Sequence, residues 1–428
     1  MQLIKRIALC FAATFCLPVI LIASELPTAT PEQVGLSAEK LQEARAAMQK
    51  LVDDKRIAGG VFAVARRGKV VQFETCGMMD IESGKPMRRD TIFRFYSMSK
   101  PITSVAAMIL YEQGKIELDD PVSKYIPEFK ELKVAADPDA EEITEVPARR
   151  EMSVRDLMRH TSGLTYGVFG NTAVDKLYRK TIQLSGQGDN LEEMAKKLAS
   201  IPLLYQPGTK WHYGFSTDVL GRVVEVASGQ SLDKFFAERI FEPLGMVDTA
   251  FYVPSEKIDR FATNYGPNPQ GGLQPIDIPK TSRYTEMPTL FSGGGGLVST
   301  ASDYMRFCLM LLNKGEFGGK RLLKAETVEM MTKNQLPEQA YPIGNGDRAG
   351  VGFGLGFSVR VESSNGDSSS RLGEYGWGGM ASTHFWISPN DEIAVVALTQ
   401  HIPYSGQAEN ALKPIIYEAI SDNNQGTL

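Results

Sequence analysis

Leu41, Ala44 and Met48 fall at helical spacing behind Ser37, which predicts an amphipathic helix over Ala38–Asp53. The period then shortens. Gly60–Arg66 and Val70–Thr75 read as the strands of a hairpin with Arg67-Gly68-Lys69 as its turn. Near the other end Gly354–Val361, Ser382–Ile387 and Ile393–Leu398 read as strands. Ser388-Pro389-Asn390-Asp391 turns between the last two, and Ala408–Ser421 predicts a closing helix. Between these ends the pattern is mainly helical. Met152–His160, Leu191–Ser200 and Thr217–Ser228 predict helices, and the apolar runs Pro101–Tyr111 and Tyr304–Leu312 predict buried ones. The charge-rich residues 134–150 predict a solvated loop. No repeat is present. Strands at both ends predict an α/β domain built from both termini, residues 25–125 plus 291–428. Residues 126–290 would be an inserted, mainly helical domain.

The buried run at Pro101 follows Ser97-Met98-Ser99-Lys100, a serine with a lysine three residues later. At that spacing both side chains share one helix face. A serine hydroxyl is a weak nucleophile until a base takes its proton. A lysine serves as that base when a desolvated site or nearby positive charge favours its neutral form. Ser-x-x-Lys also occurs at Ser37–Lys40 and Ser231–Lys234. Leu41, Ala44 and Met48 follow the first, and Leu232, Phe235 and Phe236 the second, so both serines read as helix N-caps.

Lys5 and Arg6, the apolar stretch Ile7–Ile22 and the small residues Ala23-Ser24 form a secretory signal pattern over residues 1–24. Pro18 and the shortness of the run argue against a stable membrane span. Cleavage after residue 24 would remove two positive charges and move the net charge from −5 to about −7. A mildly acidic exported chain is a poor candidate for binding nucleic acid or anionic lipid. Cys10 and Cys16 lie in the signal. Cys76 and Cys308 remain, and the apolar surroundings of Cys308 favour a buried free thiol over a disulfide. Rival chemistries lack their motifs. There is no Gly-x-Ser-x-Gly elbow. His160, His212, His384 and His401 show no zinc spacing, and Gly293–Gly296 lacks the Lys-Ser/Thr of a phosphate loop. That run reads instead as a strand-to-helix turn, with Ser302-Asp303 near the helix start.

Six segments carry a family resemblance: Thr91–Lys100, Gly114–Pro127, Met152–Leu164, Pro207–Tyr213, Ser292–Asp303 and Tyr375–Gly379. In order and spacing the chain resembles the serine β-lactamase and penicillin-binding-protein superfamily. Within it the class C β-lactamase-like branch is nearest, and there the family VIII carboxylesterases. The resemblance implies a β-lactamase-like fold, an antiparallel sheet flanked by helices. It implies that Ser97 is the nucleophile, Lys100 its proton acceptor, and Tyr213 a partner in the proton work. The backbone N–H groups of Ser97 and Met380 would form the oxyanion hole, and Trp377, Gly378 and Gly379 would bind substrate. On the residues alone, Tyr213 beside Trp211 and His212 reads as a core aromatic, Trp377 as a gap-filler at a strand edge, and His160 as support for its loop.

Two departures bear on substrate. β-Lactamases carry Tyr-x-Asn in the second motif, where this chain has Tyr213-Gly214-Phe215. β-Lactamases and peptidases usually carry Lys-Thr-Gly or His-Thr-Gly in the third, where Trp377-Gly378-Gly379 offers neither charge nor hydroxyl. The resulting expectation is a periplasmic or secreted serine hydrolase that cleaves a small-molecule ester or amide without metal or cofactor. The alternatives are a class C-like β-lactamase or D-amino-acid peptidase, and a non-catalytic penicillin-binding-like sensor or scaffold.

Overall fold

The computed structural model of the chain describes residues 25–182, 188–344, 348–363 and 371–421. The expected signal at residues 1–24 lies outside them. Ser37 is extended and its side chain accepts the Lys40 N–H at 3.3 Å, which starts helix α1 (Ala38–Asp53). Its buried face is Leu41, Ala44, Met48 and Leu51. The hairpin follows as β1 (Gly59–Arg66) and β2 (Lys69–Asp80). Arg67 and Gly68, at φ 50° and 75°, make its two-residue turn, the left-handed pair that matches strand twist. β2 runs five residues past the predicted Thr75, and its end pairs with β3 (Lys85–Pro86).

Five more strands come from the other end: β4 (Val351–Phe353), β5 (Ser358–Arg360), β6 (Tyr375–Gly379), β7 (Thr383–Ser388) and β8 (Ile393–Thr399). The antiparallel sheet runs β4-β5-β6-β7-β8-β1-β2-β3, with Val64 opposite Val395 where the two ends of the chain meet. The single strand predicted at Gly354–Val361 is wrong. Gly354 N–H bonds Phe357 O at 2.8 Å and Gly356 adopts φ 102°, so the chain reverses there and the residues divide between a turn and β5. A Cβ on Gly356 would meet Ser104 Oγ at 2.3 Å.

Both faces of β1 are buried. Phe62 and Val64, with Trp386 and Val395, face α1 and the closing helix α5 (Gln407–Glu418). Val61, Ala63 and Ala65, with Phe385 and Val396, face helices α2 (Ser99–Glu112) and α4 (Ala301–Leu312). Each large side chain so buried contributes about 1.5–3 kcal/mol. α2 is enclosed from Ser99 to Leu110, and its sequence is apolar on most sides, as a buried helix requires. Its far side packs on α3 (Ser216–Ser228), and one apolar cluster runs from Val61 through Ile102 to Leu198 and Leu220. The sheet and the helical middle therefore share a core.

Other boundaries move for local reasons. The loop expected at 134–150 is a hairpin, Lys133–Ala135 against Glu145–Pro147, most of whose charged residues are exposed while Val134 and Ala135 are buried. The helix expected at Met152–His160 is Val154–Met158, opened by a Ser153–Asp156 capping box and closed before His160 at φ 56°. The Gly293–Gly296 run leads into a short strand, Val298–Ser299, and Thr300 caps α4. α5 (Gln407–Glu418) stops three residues short of the predicted Ser421. Ala173–Thr181 is a helix the periodicity did not give. Cys76 and Cys308 are buried and unpaired. No helix of the described residues is long and apolar enough to cross a membrane.

The two serine caps separate experimentally. Ser37→Ala should cost about 1 kcal/mol in urea unfolding. Ser231 precedes its helix, yet its side chain caps nothing, and Glu225 Oε1 takes the Leu232 N–H at 3.1 Å instead. Ser231→Ala should therefore leave the unfolding midpoint within error of wild type.

Candidate active site

A buried cation anchors the strand that delivers Ser97. Arg94 lies in the pair Phe93–Arg94 with Val298–Ser299. Its guanidinium binds Asp277 Oδ2 at 2.7 Å, Ala262 O at 2.6 Å and Ser282 Oγ at 3.1 Å, over the ring of Phe261. Two residues on, Tyr96 is held at φ 44°, a conformation that costs a side-chain-bearing residue on the order of 1 kcal/mol. Ser97 sits in the following 3-10 turn, Tyr96–Met98, just before α2 and not within it. Lys100 is in the first turn of α2 and only 1% exposed. Its Nζ lies 3.2 Å from Ser97 Oγ and 2.6 Å from the carbonyl oxygen of Gly294.

Tyr213 reaches the same point from the helical side. The Pro207–Trp211 loop ends where His212 N–H bonds His160 O at 2.8 Å and His212 Nε2 meets Thr165 Oγ1 at 3.0 Å. Gly214 is required because a Cβ there would lie 2.3 Å from Leu164 O. The Tyr213 ring lies 4.6 Å from Lys100 Nζ and packs on His160, Tyr166 and Trp377. Burial and the nearby Lys100 hold His160 well below its ordinary pKa, so its ring is neutral.

The third motif is the body of β6. Trp377 is half-buried, and its indole N–H donates to the Tyr213 hydroxyl at 3.2 Å. That tie makes Trp377 more than the apolar surface its sequence offers. Gly379 lets the strand reach the Tyr96–Met98 turn, since a Cβ on it would lie 2.2 Å from Phe95 O. Met380 follows directly and is 47% exposed. At Gly378 the space for a side chain is bounded by His384 and Tyr404. The structure thus brings Ser97, Lys100, Tyr213 and Trp377 together, with Gly378, Gly379 and Met380 on the adjoining strand end.

Sequence reasoning missed Asp218, Tyr166 and the backbone of Gly294, which surround Lys100 from behind. The one sequence signal for them was the glycine run at 293–296. Among the described residues no cluster of His, Cys, Asp and Glu is arranged to hold a metal ion.

The sequence profile of the Beta-lactamase family matches residues 44–413. The chain belongs to that family. An uncharacterised Mycobacterium tuberculosis protein is 35% identical over 365 residues, 84% of this chain and 90% of that protein. The esterase EstB of Burkholderia gladioli is 30% identical over 426 residues, 92% of this chain and 99% of EstB. Among solved structures, EstCE1, described as a hydrolase with promiscuous acyltransferase activity, superposes with a TM-score of 0.76. It is 29% identical and covers 88% of this chain and 98% of its own. In this β-lactamase-family chain the Met152–Leu164 motif is fixed by one fully buried carboxylate. Asp156 binds Arg150 twice, at 2.5 and 3.0 Å, and also Arg159, Thr161 and the Ser153 N–H.

Those donors hold the Asp156 carboxyl at about 2 against the burial that opposes them. A depressed folded value means stabilisation that is complete above the unfolded pKa of about 3.9 and lost as pH falls through the folded one. Asp156→Asn should cost roughly 2 kcal/mol at pH 7. In urea melts the gap to wild type should close between about pH 4 and pH 2.

Proposed function

We propose that the protein is an exported serine hydrolase that cleaves neutral carboxylic esters through an acyl-enzyme on Ser97. The observation that carries this reading is the buried Lys100 amine 3.2 Å from Ser97 Oγ, with the Tyr213 ring over it. Ser97 Oγ attacks the ester carbonyl, and its proton passes through the Lys100–Tyr213 pair to the departing alkoxide. The indole N–H of Trp377 stabilises negative charge on the Tyr213 oxygen while the proton is absent. The amides of Ser97 and Met380 take the oxyanion. Water then releases the acid by the reverse path. The esterase EstB and the hydrolase EstCE1 support ester cleavage as the chemistry, and the pattern of residues 1–24 supports export to the periplasm or beyond.

Trp377-Gly378 argues for neutral esters over β-lactams or peptide termini. A substrate carboxylate placed against the indole loses hydration and gains no cation, at a cost of several kcal/mol. The Lys100 amine, 3.2 Å from Ser97 Oγ and 4.6 Å from the centre of the Tyr213 ring, argues against a non-catalytic sensor.

Ser97→Ala should abolish hydrolysis of p-nitrophenyl butyrate while circular dichroism stays unchanged. A wild-type specificity constant higher for a chromogenic cephalosporin than for that ester would replace the esterase reading with a β-lactamase one. Lys100→Ala and Tyr213→Phe should each cost on the order of 10²-fold or more in acylation, and the double variant little beyond the worse single. Trp377→Phe, which removes one hydrogen bond to a charging oxygen, should lower kcat on the order of ten-fold.

A further inference from the structure

A series of buried polar groups leads from α5 to the end of β6, and the acyl-enzyme chemistry above uses none of it. It starts at Glu374, whose carboxylate takes the Tyr417 hydroxyl and binds Lys413 Nζ at 2.8 Å. Lys413 binds Glu409 at 2.6 Å, and Glu409 Oε2 lies 3.8 Å from His384 Nε2. His384 is 2% exposed, and the same Nε2 meets the Tyr404 hydroxyl at 3.1 Å. Burial opposes charge on Glu409, yet Lys413 holds its carboxyl at about 2. Burial also holds His384 below its ordinary pKa, so the imidazole is neutral. The series ends on the phenol of Tyr404, a residue 50% exposed. Water would satisfy a surface hydroxyl without such support. The buried imidazole fixes where this one points.

The backbone behind Tyr404 is fixed as well. Ser382 Oγ donates to His401 O and accepts the Ser405 N–H, each at 2.9 Å, which ties the segment to the turn between β6 and β7. The same turn, closed by the Ser382 N–H on Gly379 O at 2.9 Å, presents Met380. The Tyr404 ring packs on Gly378, where a Cβ would lie 3.2 Å from Tyr404 Cε2 and 3.0 Å from His384 Cδ2. A tyrosine from a distant segment thus stands where the middle residue of the third motif would place its side chain. β7 pairs with all of β6, but β5 pairs only with Tyr375 and Gly376. Among the described residues no strand covers the other edge of Trp377–Gly379, so that edge is open toward the site.

We propose that Tyr404 is a specificity-determining residue that binds a hydroxyl group on the alcohol side of the ester, which makes neutral esters of diols and polyols the preferred substrates. This rests on the acyl-enzyme reading above, which also gives the side. There the Met380 N–H takes the carbonyl oxygen, and the departing alkoxide receives its proton beside Tyr213 and Trp377. The alcohol then runs back along β6 from Met380 toward Trp377, past Gly378 and Tyr404. Bonded once to His384, the phenol still has a proton or a lone pair to offer. A substrate hydroxyl can give or take a hydrogen bond, so it fits either tautomer of His384.

The test compares kcat/KM for glycerol monobutyrate and propyl butyrate, which share the acyl group and differ in two hydroxyls. Wild type should favour the glycerol ester about five-fold or more. Tyr404→Phe should lower that ratio about five-fold, mainly through KM, because the bond forms in ground and transition state alike. Each variant meets the same two esters, so their intrinsic reactivities cancel in the comparison. Gly378→Ala keeps the phenol but puts a methyl group where its ring packs, and should lower the ratio too. It carries the test alone if circular dichroism finds Tyr404→Phe misfolded. A wild-type ratio near one, or an unchanged ratio in the folded variant that carries the test, overturns the proposal. Turnover of either ester that survives Ser97→Ala would instead sink the acyl-enzyme reading, whatever the ratio.

Discussion

The site depends on one constraint: a lysine amine is held almost out of water, within reach of a serine hydroxyl. A buried amine needs hydrogen-bonding partners of its own. Around Lys100 stand the Gly294 carbonyl, two aromatic faces and the Asp218 carboxylate one peptide away. The glycine run at 293–296 exists where backbone must lie between an acid and a base. Burial first, and the neighbouring Lys100 second, hold His160 below its ordinary pKa. The buried Arg94 and the strained Tyr96 aim the serine at this point from the other side.

On the proposed reading the third motif changes the preference of a family fold with few parts. A tryptophan there removes the charge that would hold a carboxylate. It also reaches back to the Tyr213 hydroxyl. On the proposed reading selectivity and proton transfer are coupled in one side chain, so a change that places a cation at position 377 also withdraws a hydrogen bond from Tyr213.

Much of this was legible in the chain. α1 was readable to the residue because its apolar spacing and its Ser37 cap agree. The meeting of Ser97 and Lys100 was readable because a serine–lysine pair led into a largely apolar run. Gly354–Val361 misled because alternation was counted through Gly356, whose positive φ reverses the chain. Ser231 misled because a distant glutamate, not the serine, satisfies the helix start. Asp218 was invisible for a different reason. An acidic residue in a helix's first turn is ordinary, and only the long-range meeting with Gly294 gives it meaning.

The single apolar cluster that joins the sheet to the helical middle has a consequence for how such a cleft adapts. Two halves that share packed side chains cannot swing apart to admit a larger guest, because parting them would open voids in a close-packed interior. Accommodation must come from the rim. Phe169 is 64% exposed there, its ring 5.8 Å from that of Tyr213. Divergence among such enzymes would therefore be written in short stretches of surface chain, around a chamber whose walls stay fixed.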